Sequence, residues 1–456
     1  MKERLNVSRR SFLGAATATA AFSIVPRHVI ARSGGVPPSE KLNLGCVGVG
    51  GMQGGGDVGA VSSENIYALC DVDDNHMAKA AEKREAAKKY RDYREMLDKE
   101  YKNLDGITVT IPDHMHASVS LAAMERGLGV YCQKPLTPTV WEARLLAKAA
   151  KKYKVPTQMG NQGYSCEATR VACETIWRGD IGEVKEVHAW SGGGFARGIK
   201  EWPKEEPVPS TLDWDLWTGR ARMHPYGGGK IVPHQWRGFL EYGTQMVGDW
   251  GVHILGPANW GLALGSPTSV ECIAVDEVNP VTFPHYACRF EFPERPCKYV
   301  PSGKMPPVTI TWYEGKMTGM VKPPEGLTKD DIKGNELFIG SKGFMMTDGR
   351  GESVRLTPES AMEGFKKPEP VIPRIKGGHY QNWIQAFKGG DEPCSNFTIG
   401  GPYTEWLLLG TICWRFPNQK LLWDGANMRF TNNAAANEFI MPYFRKGWEL
   451  KDITGV

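Results

Sequence analysis

The chain has 456 residues, 41% apolar and 23% charged, a globular balance that excludes wholesale disorder. That length calls for two or three domains and is ample to bury a core. The formal net charge of +4 is too small to argue for nucleic acid, and five Lys and Arg against one acid in residues 1–31 account for all of it.

The N-terminus opens with Ser8-Arg9-Arg10-Ser11-Phe12-Leu13, a twin-arginine pattern. An apolar run over 14–25 and the small residues near Val29-Ile30-Ala31 complete the layout of an export signal over 1–31. The run is shorter than the ~20 residues a spanning helix needs, and no later stretch is a transmembrane candidate. The expectation is a periplasmic or otherwise exported protein, carried folded by the twin-arginine machinery. Ten cysteines occur with no Cys-x-x-Cys pair, and Cys46, Cys70 and Cys132 lie in apolar runs, which reads as buried free thiols.

Residues 42–47 form a short apolar strand, followed by glycines at 48, 50, 51, 54, 55 and 56 and a helical stretch. A second strand over 66–70 ends at Asp71. Strand, glycine-rich turn, helix, strand and acid open a dinucleotide-binding unit: the glycines let backbone approach a pyrophosphate, and the acid receives the ribose hydroxyls. Asp71 would repel a 2′-phosphate, which favours NAD over NADP. Counted from Gly48, the third position of G-x-G-x-x-G falls on Gln53, which leaves the helix–sheet contact without its usual glycine.

The alternation continues with a strand over 105–111, the segment Pro112-Asp-His-Met-His116, a helix over 117–126 and a strand over 129–132 that ends in Gln133-Lys134-Pro135. A helix over 139–153 and a strand over 155–159 complete the unit, so a domain boundary falls near residue 160. Ligands bind beyond the carboxyl ends of such strands, where Lys134 stands.

From 161 onward, strands at 185–190, 269–274, 285–292, 308–313 and 336–339 follow without helices between them, and several alternate polar with apolar residues. Eight of the 15 tryptophans fall between 177 and 260. Sugar C–H faces stack on aromatic rings, so this concentration favours carbohydrate recognition over packing by a modest margin. The Pro- and Gly-rich stretch 196–245 has the character of a site-shaping loop. Asp249 and His253 are four apart, so on an α-helix they share a face, where a carboxylate can orient a histidine and support its charged form. No further ligands stand at metal-binding spacing, so no metal is expected.

The turn at 48–54, the run Thr110-Ile-Pro-Asp-His-Met-His116 and Gln133-Lys134-Pro135 resemble the Gfo/Idh/MocA family, named for glucose–fructose oxidoreductase and inositol dehydrogenase. The resemblance spans residues 40–445. It implies an α/β fold: an N-terminal doubly wound Rossmann sheet (40–160), then an α+β domain (161–445) with a large open, mostly antiparallel sheet that serves a dimer or tetramer. The family's usual Glu-Lys-Pro carries Gln133 here in place of the acid. Lys134, Asp249 and His253 become the catalytic candidates: His253, oriented by Asp249, to take the proton of a secondary hydroxyl, and Lys134 to hydrogen-bond and polarise that oxygen. Gly48, Gly50, Gly51, Met52, Gln53, Asp71, Pro112, His116, Gln133, Lys134, Asn161 and Gln162 become the cofactor contacts. Tyr164, His234, Trp236, Arg237, Tyr242 and Trp250 are the candidate substrate contacts. The implied activity is NAD-dependent hydride exchange with a secondary hydroxyl of a sugar, glycoside or cyclitol. Two alternatives stand beside it: an NAD-dependent glycosidase, with His234, Tyr242 or Tyr164 as its extra base, and a non-catalytic nucleotide-bound sugar sensor.

Overall fold

A computed structural model describes residues 40–455; the twin-arginine pattern and its cleavage point lie outside the described residues. Six parallel strands form the first sheet: β1 (Asn43–Val47), β2 (Asn65–Cys70), β3 (Lys88–Tyr90), β4 (Gly106–Val109), β5 (Gly129–Cys132) and β6 (Thr157–Met159). Their spatial order is β3-β2-β1-β4-β5-β6. β4 and β5 are buried along their whole length, Thr108 included, as parallel strands covered on both faces are. β3, three residues of Lys-Lys-Tyr at the sheet edge, carries no such signal.

Helices α1 (Gly54–Ala60), α2 (Asp74–Ala81), α3 (Tyr93–Glu100), α4 (His116–Glu125) and α5 (Val140–Tyr153) connect the strands. Asp73, Asp92 and Thr139 cap α2, α3 and α5 by accepting amide protons of the first turn. The order of the strands reverses between β1 and β4, and there the carboxyl ends open a crevice.

A helix, α6 (Glu167–Arg178), leads into a second, nine-stranded sheet. Its long members are β7 (Val184–Ser191), β8 (Ser269–Val275), β9 (Tyr286–Phe292) and β12 (Val308–Glu314), with β13 (Glu336–Gly340), β14 (Phe344–Thr347), β15 (Val354–Thr357), β16 (Lys420–Asp424) and β17 (Arg429–Phe430) outside them. Only β7 and β12 pair parallel; the other pairings in this sheet are antiparallel. A small hairpin of β10 (Arg295–Pro296) and β11 (Lys304–Met305) stands apart.

The chain then returns to the first sheet. In α7 (Gly378–Phe387), Trp383 donates its indole N–H to the Pro156 carbonyl at 3.1 Å. α8 (Phe397–Leu408) lies so close on α5 that a Cβ on Gly401 would stand 2.7 Å from that of Ala147. All ten cysteines are free, and no helix among the described residues is long and apolar enough to cross a membrane.

The tryptophan-rich insert 196–245 builds a core of its own. Trp214, Trp217, Tyr226, Trp236, Phe239 and Tyr242 cluster with Trp202 packed against them. Trp214 and Trp217 stack at 4.6 Å. Most of the aromatic surplus is therefore packing, which the sequence reading weighed as the lesser share.

Candidate active site

A single cleft of about 860 Å³ runs from the glycine turn to the face of the second domain. Gly48 and Gly51 have φ of +79° and +65°. A side chain on Gly48 would collide with the Thr110 carbonyl, and one on Gly50 with His76; beside Gly51 there is open space. Gln53 does not open the helix but precedes it, and the helix–sheet contact falls to Gly54, whose added Cβ would lie 2.6 Å from the Gly48 carbonyl oxygen. The contact expected to be missing is thus present, one residue later than the pattern places it.

Asp71 ends β2 and holds the turn: its Oδ2 accepts the Val49 and Gly50 amides at 2.9 and 3.2 Å. Its Oδ1 lies 3.5 Å from His76 Nδ1, and the hydrogen bond to that carboxylate raises the imidazole's proton affinity. The insert closes this end of the cleft. Asp74 donates its amide to the Thr211 carbonyl and Asp213 donates its own to the Val72 carbonyl, each at 2.9 Å. Arg91 reaches the same Thr211 carbonyl at 2.7 Å while paired with Asp74.

Beneath the turn, Asp57 of α1 is fully buried and accepts four hydrogen bonds. The donors are Gln53 Nε2 (2.8 Å), Thr110 Oγ1 (2.7 Å), Gln133 Nε2 (2.7 Å) and the Tyr380 hydroxyl (2.7 Å). This carboxylate ties together the glycine turn, the ends of β4 and β5, and α7.

At the other end, Lys134 Nζ donates to Asp249 Oδ1 at 2.5 Å and to the Asp249 carbonyl at 2.9 Å. Arg237 Nε stands 3.4 Å from the same carboxylate oxygen. Burial alone would raise the Asp249 carboxyl, but Lys134 and then Arg237 outweigh it and hold it below the usual range. Asp249 and His253 do not act as the expected hydrogen-bonded pair. The chain over Val247–Gly251 is a π-turn, which displaces the i,i+4 alignment of an α-helix, and the carboxylate turns to Lys134. Burial, then the neighbouring Lys134 charge, pushes the His253 imidazole down to about 3, so it is neutral at physiological pH. Its Nδ1 is buried without a hydrogen-bond partner among the described residues.

Of the sequence candidates, Gly48, Gly50, Gly51, Met52, Gln53, Asp71, Pro112, Gln133, Lys134, Gln162, Trp236, Arg237, Asp249, Trp250 and His253 line the cleft. His116, Asn161, Tyr164, His234 and Tyr242 do not. His116 lies in the interior with its ring nitrogens 2.8 Å from the Pro135 and Ile111 carbonyls, where it ties two cleft-edge loops from behind. Asn161 is buried with its amide unpartnered. Tyr164 is core: it stacks on Trp260 at 5.2 Å, and its hydroxyl is taken by Asn259 at 2.6 Å. Tyr242 is core of the insert, against His114 and Trp217. Trp236 reaches the cleft, but its ring is covered by the Arg237 guanidinium at 4.2 Å.

Among the cleft residues that the sequence does not single out are Asp113, Arg350 and Tyr380. Asp113 lay inside the 110–116 run, between residues singled out. Arg350 comes from the loop between β14 and β15, with no local signal, and stands 5.6 Å over Trp250. Tyr380 comes from α7, which reads only as an amphipathic helix.

A crevice at the strand-order reversal, a glycine turn pinned by an acid and a lysine at the end of β5 define a dinucleotide-binding protein. Residues 42–161 match the family model of the Gfo/Idh/MocA oxidoreductases described as "Oxidoreductase family, NAD-binding Rossmann fold", and residues 188–303 match that described as "Oxidoreductase family, C-terminal alpha/beta domain". The chain belongs to this oxidoreductase family. Inositol 2-dehydrogenase of Salmonella typhimurium is 29% identical over 154 residues, 32% of this chain and 45% of that protein. The rhizopine catabolism protein MocA of Rhizobium meliloti is 31% identical over 193 residues, 42% and 53% of the two chains. The chain thus spans about half the length of these curated relatives. Among solved structures, the WlbA dehydrogenase of Bordetella pertussis in complex with NADH and UDP-GlcNAcA has a TM-score of 0.52 at 15% identity, covering 84% of this chain and 99% of that one. The aldose-aldose oxidoreductase of Caulobacter crescentus gives 0.52 at 15%, covering 84% and 100%. At those identities the likeness is one of fold.

Proposed function

We propose that the protein is an NAD-dependent oxidoreductase that exchanges hydride with a secondary hydroxyl of a sugar, glycoside or cyclitol. The observation that carries this reading is the Lys134–Asp249 pair with neutral His253, set in the same cleft as the glycine turn. The residues suit a dinucleotide: Gly51 leaves open space for close approach, and Asp71 places a carboxylate where an adenosine ribose would lie. When bound, the nicotinamide ring supplies hydride acceptance.

The chain's own groups position and polarise. An ammonium has three donors; Asp249 takes two from Lys134 and leaves one for a substrate oxygen. Asp249 fixes the direction of that donor and, with Arg237, keeps the charge compensated in a buried setting. His253 Nε2 offers a further hydrogen bond, and Trp250 and Trp236 wall off water.

The relatives named as inositol and sugar dehydrogenases support the substrate class. The leader over 1–31 supports export, and the open nine-stranded sheet supports a homo-oligomer. The test is to denature the purified protein, identify the released nucleotide, and follow NADH absorbance while sugars, cyclitols and glycosides are added. Bound NAD that no member of the panel reduces would defeat the oxidoreductase reading. Cell fractionation tests export, and light scattering the assembly.

A further inference from the structure

Removing hydride from a secondary alcohol leaves its O–H proton to be placed, and three of the cleft's ionisable groups are poorly suited to take it. The Lys134 ammonium has no lone pair and already spends two of its N–H groups on Asp249. The Asp249 carboxylate is bound by two cations and holds a proton weakly. The His253 imidazole is buried beside Lys134, where a second positive charge is costly.

A fourth group differs. Asp113 begins the short 3₁₀ turn after β4 and lines the cleft. Its Oδ2 accepts the Thr244 hydroxyl at 3.0 Å, and its Oδ1 has no hydrogen-bond partner among the described residues. The charges that face it are Arg237 from the insert, Asp249 from the π-turn and Lys134 from the end of β5. Burial raises its carboxyl; Arg237 and Lys134 lower it, and Asp249 raises it again. The balance comes to about 7, where an acid–base group works best near neutral pH.

We infer that Asp113 is a further catalytic residue, the group whose Oδ1 takes the substrate hydroxyl proton. The inference rests on the oxidoreductase reading above. In the step the C–H bond breaks and its electron pair leaves as hydride to the oxidised nicotinamide. The O–H bond breaks, its electron pair closes the carbonyl, and its proton forms the Asp113 carboxyl, which later releases it to solvent. Lys134 stabilises the oxygen as its charge develops. Thr244 holds Asp113 through one oxygen and leaves the other without a hydrogen-bond partner among the described residues.

Two measurements on the full chain test this together. The first is pH-difference infrared spectroscopy of the wild type and Asp113→Asn without substrate. A carboxyl band titrating near neutrality should be present in the wild type and absent in the variant; a wild type without that band overturns the inference. The second is the pH profile of NADH formation on a sugar the wild type oxidises. Asp113→Asn should lose about 10²–10⁴-fold in kcat and flatten the neutral limb. Asp113→Ala should regain rate with added formate, and Thr244→Val should move the limb to higher pH. A wild-type limb retained in Asp113→Asn overturns the inference even if the band titrates. A wild type that oxidises nothing defeats the oxidoreductase reading and this inference with it, a result distinct from any seen only in the variants.

Discussion

The Gln133 side-chain amide donates to the Asp57 carboxylate at 2.7 Å, so an amide rather than an acid suits this position. With Asp57 buried in α1, a second carboxylate at 133 would face the first across a hydrogen-bond distance with no donor between them. The missing negative charge beside Lys134 is the consequence of one placed beneath the glycine turn.

Gln133→Glu should therefore lower the melting temperature at neutral pH, at a cost of about 1–3 kcal/mol. The loss should shrink at acid pH and be partly restored by Asp57→Asn in the same chain. An unchanged melt would mean the Asp57 network relaxes freely.

Gly54→Ala tests the displaced helix contact. Its Cβ would meet backbone rather than a flexible side chain, so overpacking of about 1–3 kcal/mol is expected. Nucleotide retained through purification should fall with it. Gly59→Ala, whose Cβ meets nothing within 4 Å, is the control.

Lys134→Met should leave nucleotide bound and lower turnover by about 10²–10³-fold, the scale for removing one donor to a developing oxyanion. The readouts are nucleotide content after denaturation and steady-state NADH formation. Normal turnover would remove Lys134 from the chemistry.

Glu336 carries a pH prediction. It is fully buried in β13; burial holds its carboxyl well above the usual range, although Thr347 donates to it at 2.6 Å. In the unfolded chain the group ionises near pH ~4.3. Above that value the unfolded state gains by losing its proton and the folded state does not, so each further pH unit costs folding up to about 1.4 kcal/mol. Glu336→Gln removes the slope: it should be near neutral at pH 4 and progressively stabilising toward pH 8. Melts with equal pH dependence in both proteins would show that Glu336 ionises freely.

Tyr164→Phe and Tyr242→Phe should both leave kcat/KM within about two-fold, since neither lines the cleft. Tyr164→Phe gives up the Asn259 bond, worth about 1 kcal/mol of stability. Tyr242, whose buried hydroxyl has no partner, should lose nothing. A large catalytic defect in either would return that tyrosine to the substrate site.

What could be read in advance follows the physics of each element. β1 and β5 were legible because burial on both faces leaves runs with few polar residues, and β4 because it is rich in β-branched residues; β3 was not, because a polar edge strand has no pattern. Lys134 was legible because strand ends face the crevice. Tyr164 and Tyr242 were misplaced because an aromatic ring with a hydroxyl suits a core as well as a sugar site. The Asp249–His253 spacing misled because four residues share a face only on an α-turn. Arg350 and Tyr380 reach the cleft through tertiary packing, which leaves no mark on neighbouring residues.

The Thr211 carbonyl is bonded at once by the Asp74 amide and by Arg91. With the Asp213–Val72 bond it fastens the insert across the adenosine end of the cleft. Lifting the insert from the end of β2 would break these bonds together, a local opening with its own free energy.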